Sequence, residues 1–534
     1  MKSLIIAAFS TASALTVSAA TFTWDDKGDH LWTSVANWTT NGVPATTSPD
    51  AGDTVVINNV NNAPAFVILD AMCPPIPTEE VERGYLNSLT LAGTATDNVF
   101  LSVTNNAVLE IKSATATEIF VGERGTAHLL VSDGARVETI SNGQRNVTVG
   151  GLAGSTGTVT VSTGGSMYTA YSTTIGNLGV GTVHVKGGSY TIMRNSNMGS
   201  GVTGSGQLLL DSGTFYMPGG QTLNVGNSGK AYIRFLAPTT ASFGVLILGV
   251  NANSYGELDL DACNAAGGQN NSVTVGSLGK GLFTIRGGTY TATGSAGLNI
   301  RANAGASGLL KGWGILTGFR NMTNNDLVIA DGEGADRELS FTANRYDGFI
   351  SNTIDNERNG TNGWYAISKG KLTIQMRGIN GANTGLGRTT SEFSWGETET
   401  DEDIDLVNSF RVSFNGVAAN GTFKASILAP DRDDLPPLPN MPVVGLWNAA
   451  FTQSFASVDF ECRYDHTRVP SSHEVRLMRW DDDAGIWRRL HTYSTATPDS
   501  PHRVKTDDMP ELGADRVGLI GAFAYPASFL FILR

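Results

Sequence analysis

Between residues 119 and 315, hydrophobic and polar positions alternate in short runs that restart about every two dozen residues. Thr158-Val159-Thr160-Val161 and Thr182-Val183-His184-Val185 alternate with period two, the pattern of a strand with one side chain inward and the next outward. Each run follows a small unit of hydrophobic residue plus glycine: Val121-Gly122, Val149-Gly150, Ile175-Gly176, Met198-Gly199, Val225-Gly226, Leu248-Gly249 and Val275-Gly276. These seven copies are spaced by 28, 26, 23, 27, 23 and 27 residues, near the length of one coil of a parallel β-solenoid. A second glycine corner recurs as Gly164-Gly165, Gly187-Gly188 and Gly287-Gly288. No single coil buries its apolar stripe, so the pattern requires stacking, with Val, Ile and Leu forming a continuous core. The fold class read from this is all-β, a right-handed parallel β-solenoid (β-helix) followed by a C-terminal β-sandwich.

The pattern changes toward both ends. Residues 21–86 carry Trp24, Trp32 and Trp38 in fifteen residues and read as an aromatic cap with the first coils, since the first coil of a stack has one face without a neighbour. A sugar-binding aromatic platform is the functional alternative for these tryptophans. Regular coils are expected over 87–376. They degrade where Ile300-Arg301 replaces the usual glycine unit and beyond Trp313, and the last coil is read at Lys369-Gly370-Lys371-Leu372-Thr373-Ile374. Residues 377–407 read as a linker ending in an acidic run in which six of nine residues from Glu397 to Asp405 are acidic. This run is read as solvated rather than as a calcium site. In 408–534 the glycine unit is gone, and strands at 409–414, 423–428, 443–447, 457–464, 474–480 and 486–491 have hairpin spacing, which predicts the sandwich.

Composition narrows the classes. Gly supplies 64 of 534 residues without a collagen period, and charged residues are only 16%, so polarity comes from Thr, Ser and Asn. The net charge of −13 repels nucleic acid and anionic lipid, which excludes those partners. Residues 1–20 run from Lys2 through an apolar stretch to Val17-Ser18-Ala19-Ala20, the order of a secretory signal peptide cleaved after Ala19 or Ala20. Cys73, Cys263 and Cys462 are far apart and imply no disulfide framework, though a single pair such as Cys73 with Cys263 stays open. The apolar tail 517–533 is short of the roughly 20 residues of a membrane span and contains Pro526. It reads as two strands, 517–524 and 528–533, with an anchor or sorting tail as the alternative. No transmembrane segment is expected after signal removal.

Candidate chemistry is sparse. Asp259 and Asp261 share a strand face, with Asp211 a coil or two away, and are the nearest approach to the paired acids of a polysaccharide hydrolase or lyase. Such a site needs converging charged side chains from adjacent coils, and the outward positions are mostly Thr, Ser, Asn and Gly. His128 and His184 stand in corresponding strands with another coil between them, too few ligands for a metal. Asp481-Asp482-Asp483 forms a hairpin turn between Trp480 and Trp487, more structural than calcium-binding. P-loop, nucleophile-elbow, zinc and toxin-type calcium-repeat signatures are absent. Catalytic, cofactor-binding and metal residues are therefore read as none, and Trp447, Trp480 and Trp487 are the candidate glycan contacts.

The opening Trp24…Trp32…Asn37-Trp38…Pro44…Gly52-Asp53 and the repeated Val-Gly…Gly-Thr-Val-x-Val…Gly-Gly-Ser-Tyr unit resemble secreted bacterial proteins with autotransporter-associated β-strand repeats, also called passenger-associated transport repeats. The resemblance covers residues 21–374. It implies a bacterial solenoid that serves at the cell surface, beyond the outer membrane, as stalk, adhesin or passenger, without shared catalytic residues. The expected sandwich, 408–534, is too short for the translocator barrel of a self-exporting protein, and Arg534 is not the aromatic terminus of such a barrel. The functional expectation is an exported, non-enzymatic surface or secreted protein, adhesin-like or structural, contacting polysaccharide or cell-surface components. The alternative is a carbohydrate-active β-helix enzyme.

Overall fold

The computed structural model describes residues 19–71, 85–112, 119–140, 146–237, 239–269, 272–293, 296–301, 305–319, 321–324, 326–332, 337–343, 364–369, 371–376, 392–398, 406–415, 421–427, 435–451, 457–463, 469–494, 503–506, 509–510 and 518–526. Residues 1–18 of the expected signal segment 1–20, Cys73, 399–405 of the acidic run 397–405, and 527–534 with the expected strand 528–533 lie outside them.

The chain is all-β and forms a parallel β-solenoid with antiparallel sheets at its C-terminal end. Each regular coil contributes one strand to each of three parallel stacks. The first stack takes the short strands ending in the hydrophobic-glycine unit, such as Asn146–Val149, Ser172–Ile175 and Ser196–Met198. The second takes the alternating runs Thr156–Ser162, Val180–Lys186 and Ser205–Asp211. The third takes Ser166–Thr169, Ser189–Ile192 and Thr214–Tyr216. Pairing is in register, so like residues stack: Leu129, Val159, Val183, Leu208, Ile233, Leu258, Phe283 and Leu310 form one buried inner column, while the intervening Thr158, Thr160 and Thr182 face out. The period-two reading of these runs is thus observed.

The glycine of the hydrophobic-glycine unit is required twice over. Gly122, Gly150, Gly176, Gly199, Gly226, Gly249 and Gly276 all have φ between +58° and +73°, the left-handed region that glycine enters without cost. At each, an added Cβ would also collide with the carbonyl of the next coil, for instance 2.2 Å from Val180 O at Gly150 and 2.1 Å from Ser205 O at Gly176. The same corner is tied backward by the glycine amide, as in Gly150 N–H to Val121 O (2.9 Å) and Gly176 N–H to Val149 O (2.7 Å). Before and after the regular coils other residues hold this place. Ala92 adopts it at φ 58°, and Arg301 keeps the bond to Val275 O (3.0 Å) without a positive φ.

The stack begins earlier than its regular sequence. Thr21–Trp24 is already the first parallel strand, paired with Thr54–Ile57, and the aromatic segment is cap and first coil together. Its outer edge is covered by the antiparallel strand Trp38–Thr40 and then by the two-residue strand Val43–Pro44, whose proline offers no further donor. The second stack starts at Ala65–Leu69 and is closed by a bridge from Leu31 to Ile68; the third starts at Val108–Ile111 and is closed by a bridge from Leu86 to Ile111. Trp24, Trp32 and Trp38 are all buried, packed edge to face with centroids 4.9 Å apart on either side of Trp38.

At the other end the first stack closes with Asn321–Asn324, while the second and third continue to Trp364–Lys369 and Lys371–Met376. Three faces thereby become two. Lys371–Met376, the expected last coil, then pairs antiparallel with Gly421–Ile427, and the sheet runs on through Val443–Phe451, Gly518–Pro526, His473–Asp481 and Ile486–Arg489. A six-stranded sheet built on Glu392–Thr398, Leu406–Asn415 and Ser457–Arg463 is the second antiparallel layer. Glu392–Thr398 falls inside the segment read as linker, because a strand with charged edge residues resembles a solvated run in sequence. The apolar tail contributes one continuous strand, Gly518–Pro526, paired on both sides. Among the described residues no helix is long and apolar enough to cross a membrane.

The core also contains a polar knot at one corner. Tyr190 is fully buried, and its hydroxyl meets Thr173 Oγ1 at 2.8 Å and Thr169 Oγ1 at 3.3 Å, while Thr173 N–H donates to Ser196 Oγ (2.9 Å). Burial pushes the Tyr190 phenol up to about 12. Four coils on in the same column, Tyr290 is equally buried and its hydroxyl has no partner among the described residues. Tyr190→Phe should therefore cost about 1 kcal/mol, while Tyr290→Phe should be neutral or stabilising by about 1 kcal/mol, as read from urea midpoints at constant slope. A second pair of variants separates the two demands on glycine. Gly154→Ala, at φ +84° with open space around it, should cost about 1 kcal/mol, whereas Gly150→Ala adds an overpacking penalty of about 1–3 kcal/mol.

Candidate binding face

The second stack presents outward positions at alternate residues of its long strands, and their chemistry changes along the rod. In Thr156–Ser162 these positions are all hydroxyls, and in Val180–Lys186 they are Val180, Thr182, His184 and Lys186. From Ser205–Asp211 onward they carry charge, in Lys230–Ala237, Tyr255–Gln269 and Lys280–Thr293. Register brings Asp259 beside Arg234 on one side and Thr284 on the other, and sets Asp261 opposite Arg286.

Arg286 Nη2 donates to Asp259 Oδ2 at 2.7 Å and lies 3.4 Å from Asp261 Oδ2, so one guanidinium joins both acids from the next coil. Although partial burial pulls the guanidinium down, the bond to Asp259 and the field of both carboxylates outweigh it and raise its pKa above the ordinary value. Beside this trio, Tyr255 donates its phenol to Glu257 (2.7 Å), and burial with that acceptor raises the phenol strongly. Arg234 sits over the ring of Tyr232, which contacts Tyr255 at 5.7 Å between centroids. The trio shares one cation between two acids, and Asp259 Oδ1 is buried without a partner among the described residues.

Asp211 does not join it. It lies 3.8 Å from His184 Nε2, two coils before Asp261, and its strand ends in a register shift that places Asp211 opposite Ala237. The pKa of His184 falls through burial, partly offset by Asp211. His128 faces a different outward column, with Nε2 2.9 Å from Thr160 Oγ1, and burial lowers its pKa too. Among the described residues no three His, Cys, Asp or Glu side chains come together as metal ligands.

The candidate glycan tryptophans separate in the same way. Trp447 is 1% exposed and belongs to the hydrophobic core. Trp480 and Trp487 are cross-strand partners with ring centroids 5.8 Å apart, half-buried, and Trp487 also packs on Phe523 and donates Nε1–H to Pro437 O (2.9 Å). A platform of three tryptophans is not formed; a pair at the edge hairpin is. The turn between them is held by Asp481, which accepts from Ala484 N–H (3.0 Å) and pairs with Arg488, and these bonds hold its carboxyl below the ordinary 3.8.

Arg286 was missed in sequence, yet the signal was present: it stands 27 residues after Asp259 and 25 after Asp261, one coil length on. Compared with protein-family models, with curated proteins and with solved structures, the chain finds no match.

If Arg286 serves mainly to neutralise the acids, Arg286→Gln should lower stability by about 0.5–1 kcal/mol, the range of a solvent-screened pair, and adding Asp259→Asn should recover most of it. A double-mutant cycle in urea measures this, with additive losses as the contrary result.

Proposed function

We propose that the chain is an exported, non-enzymatic β-solenoid that works at the cell surface or outside the cell, in an adhesin-like or structural role, and contacts glycans. The observation that carries this reading is the closure of the acidic cluster. Asp259 and Asp261 are bridged by Arg286, so both carboxylates already have a cationic partner within the protein, and Glu257 close by accepts from Tyr255. Export is supported by the basic, apolar and small-residue order of residues 1–20. A rod whose edges are closed at one end and merged into antiparallel layers at the other suits display, because it offers faces rather than a cleft.

One observation favours a second reading. Asp259, Asp261 and Arg286 come from adjacent coils and converge, which is the arrangement a polysaccharide hydrolase or lyase would need. The purified chain should bind members of a glycan array without releasing reducing ends or unsaturated products from a polysaccharide panel. Turnover that survives repurification and disappears in Asp259→Asn and Asp261→Asn would overturn the structural reading in favour of the enzyme.

A further inference from the structure

We propose that a row of four rings, His30, Phe66, Phe100 and His128, is a binding strip for an uncharged, extended polysaccharide. The rings lie on the outward side of the second stack at its N-terminal end. Register aligns Phe66 with Phe100 and Phe100 with His128 on three successive strands, and Ile68 N–H donates to His30 O (2.8 Å), which sets His30 at the head of the row. Centroids follow one another at 6.4, 6.3 and 4.9 Å, so the row is continuous along the rod axis.

The fold has no need of these rings. Their inward neighbours Val67, Leu69, Leu101, Val103, Leu129 and Val131 are fully buried and supply the core of the same strands. Phe66 remains 51% exposed and Ile68 beside it 37%. Further along the same column stand Thr158, Thr182 and Gln207, then Tyr232, Glu257 and Leu282, so among the described residues only this end sets rings on three successive strands.

Charge and shape select the occupant. The three strands, Ala65–Leu69, Asn98–Val103 and Thr126–Val131, contain no Asp, Glu, Lys or Arg, whereas the later strands of the stack are rich in them. On a chain of net charge −13, an uncharged row favours an uncharged polymer and repays no polyanion. The row is bordered on one side by exposed Asn98 and Thr126 and on the other by Ile68, Ser102 and Leu130, so an apolar strip is edged on one side by hydrogen-bonding groups. A sugar chain has this character: C–H faces that lie on rings, and hydroxyls at the rim for amides and hydroxyls. At the lower end His128 is held by Thr160, and at the upper end His30 Nδ1 is held 2.7 Å from Asp26 Oδ2, which fixes both terminal rings.

This site is at the opposite end of the chain from the Trp480–Trp487 pair and is independent of whether Asp259 and Asp261 act on any substrate. Affinity electrophoresis of the full chain through gels containing hydroxyethylcellulose, xylan, laminarin or dextran, with alginate as the charged comparison, tests it. Retardation by at least one neutral polymer is expected, weakened about tenfold or more in Phe66→Ala with Phe100→Ala and retained in Phe66→Tyr. Phe66→Ser alone, at a half-exposed position, guards against misfolding of the double variant, and unchanged thermal unfolding confirms it. The proposal is overturned by retardation in alginate only, by no retardation in any neutral gel, or by a loss that follows Trp480→Ala with Trp487→Ala instead. Concentration-dependent self-association abolished by Phe66→Ser, without neutral-gel retardation, would equally overturn it by making the strip a contact between copies.

Discussion

The rod depends on one close approach: at a corner of every regular coil, a backbone in the left-handed region passes within van der Waals reach of the next coil's carbonyl. The stacking distance of parallel strands, about 4.8 Å, leaves no room there for a side chain. Seven glycines meet this demand, and the amide of each is bonded to the coil before. The inner Val, Ile and Leu columns follow from it, because a corner that repeats in register makes every inward position stack on its own kind. The strands lengthen before the corner changes: Tyr255–Gln269 and Lys280–Thr293 are already long while Gly249 and Gly276 hold the corner, and the glycine is lost only at Arg301. In a quasi-one-dimensional stack such a change is local in its energetic reach, since each coil touches only its neighbours.

Closing the ends is a separate problem, solved differently on each side. At the N-terminal end three unrelated pieces, the 38–44 hairpin strands, the Leu31 bridge and the Leu86 bridge, cover three sheet edges, with tryptophans filling the space beneath. At the C-terminal end the edge of the third stack is not covered but extended. Antiparallel strands are added to it, so the solenoid ends by changing the direction of its chain.

What was legible in the sequence was what repeats. The alternation of Thr158 to Val161 and the spacing of the hydrophobic-glycine units led directly to strand directions, coil length and inner columns, because each is a consequence of one period. The C-terminal strands were legible one by one but their pairing was not: hairpin spacing describes Gly421–Ile427 with Val443–Phe451 and His473–Asp481 with Ile486–Arg489, whereas Leu406–Asn415 meets Ser457–Arg463 and Val443–Phe451 also meets Gly518–Pro526. The first coil was harder to see, since Thr21–Trp24 is disguised by the aromatic residues that also cap it. The merging of the third stack with Gly421–Ile427 leaves no sequence mark at all, as a strand pairs equally well with parallel or antiparallel neighbours. At the candidate sites, Asp259 and Asp261 were visible as a pair, but their cation was one coil away and had to be found by counting. Trp447 illustrates the opposite failure: a tryptophan in a strand carries no signal that says which layer it faces.

The continuous sheet across the junction at Lys371–Met376 bears on how the chain acquires its shape. Successive coils meet across short separations, as Val159 with Val183, whereas Lys371 meets Ser426 and Val443 meets Phe523 across far longer stretches of chain. Loop closure therefore favours the rod over the terminal layers, and contact order makes the coils the more local, faster-closing part of the molecule.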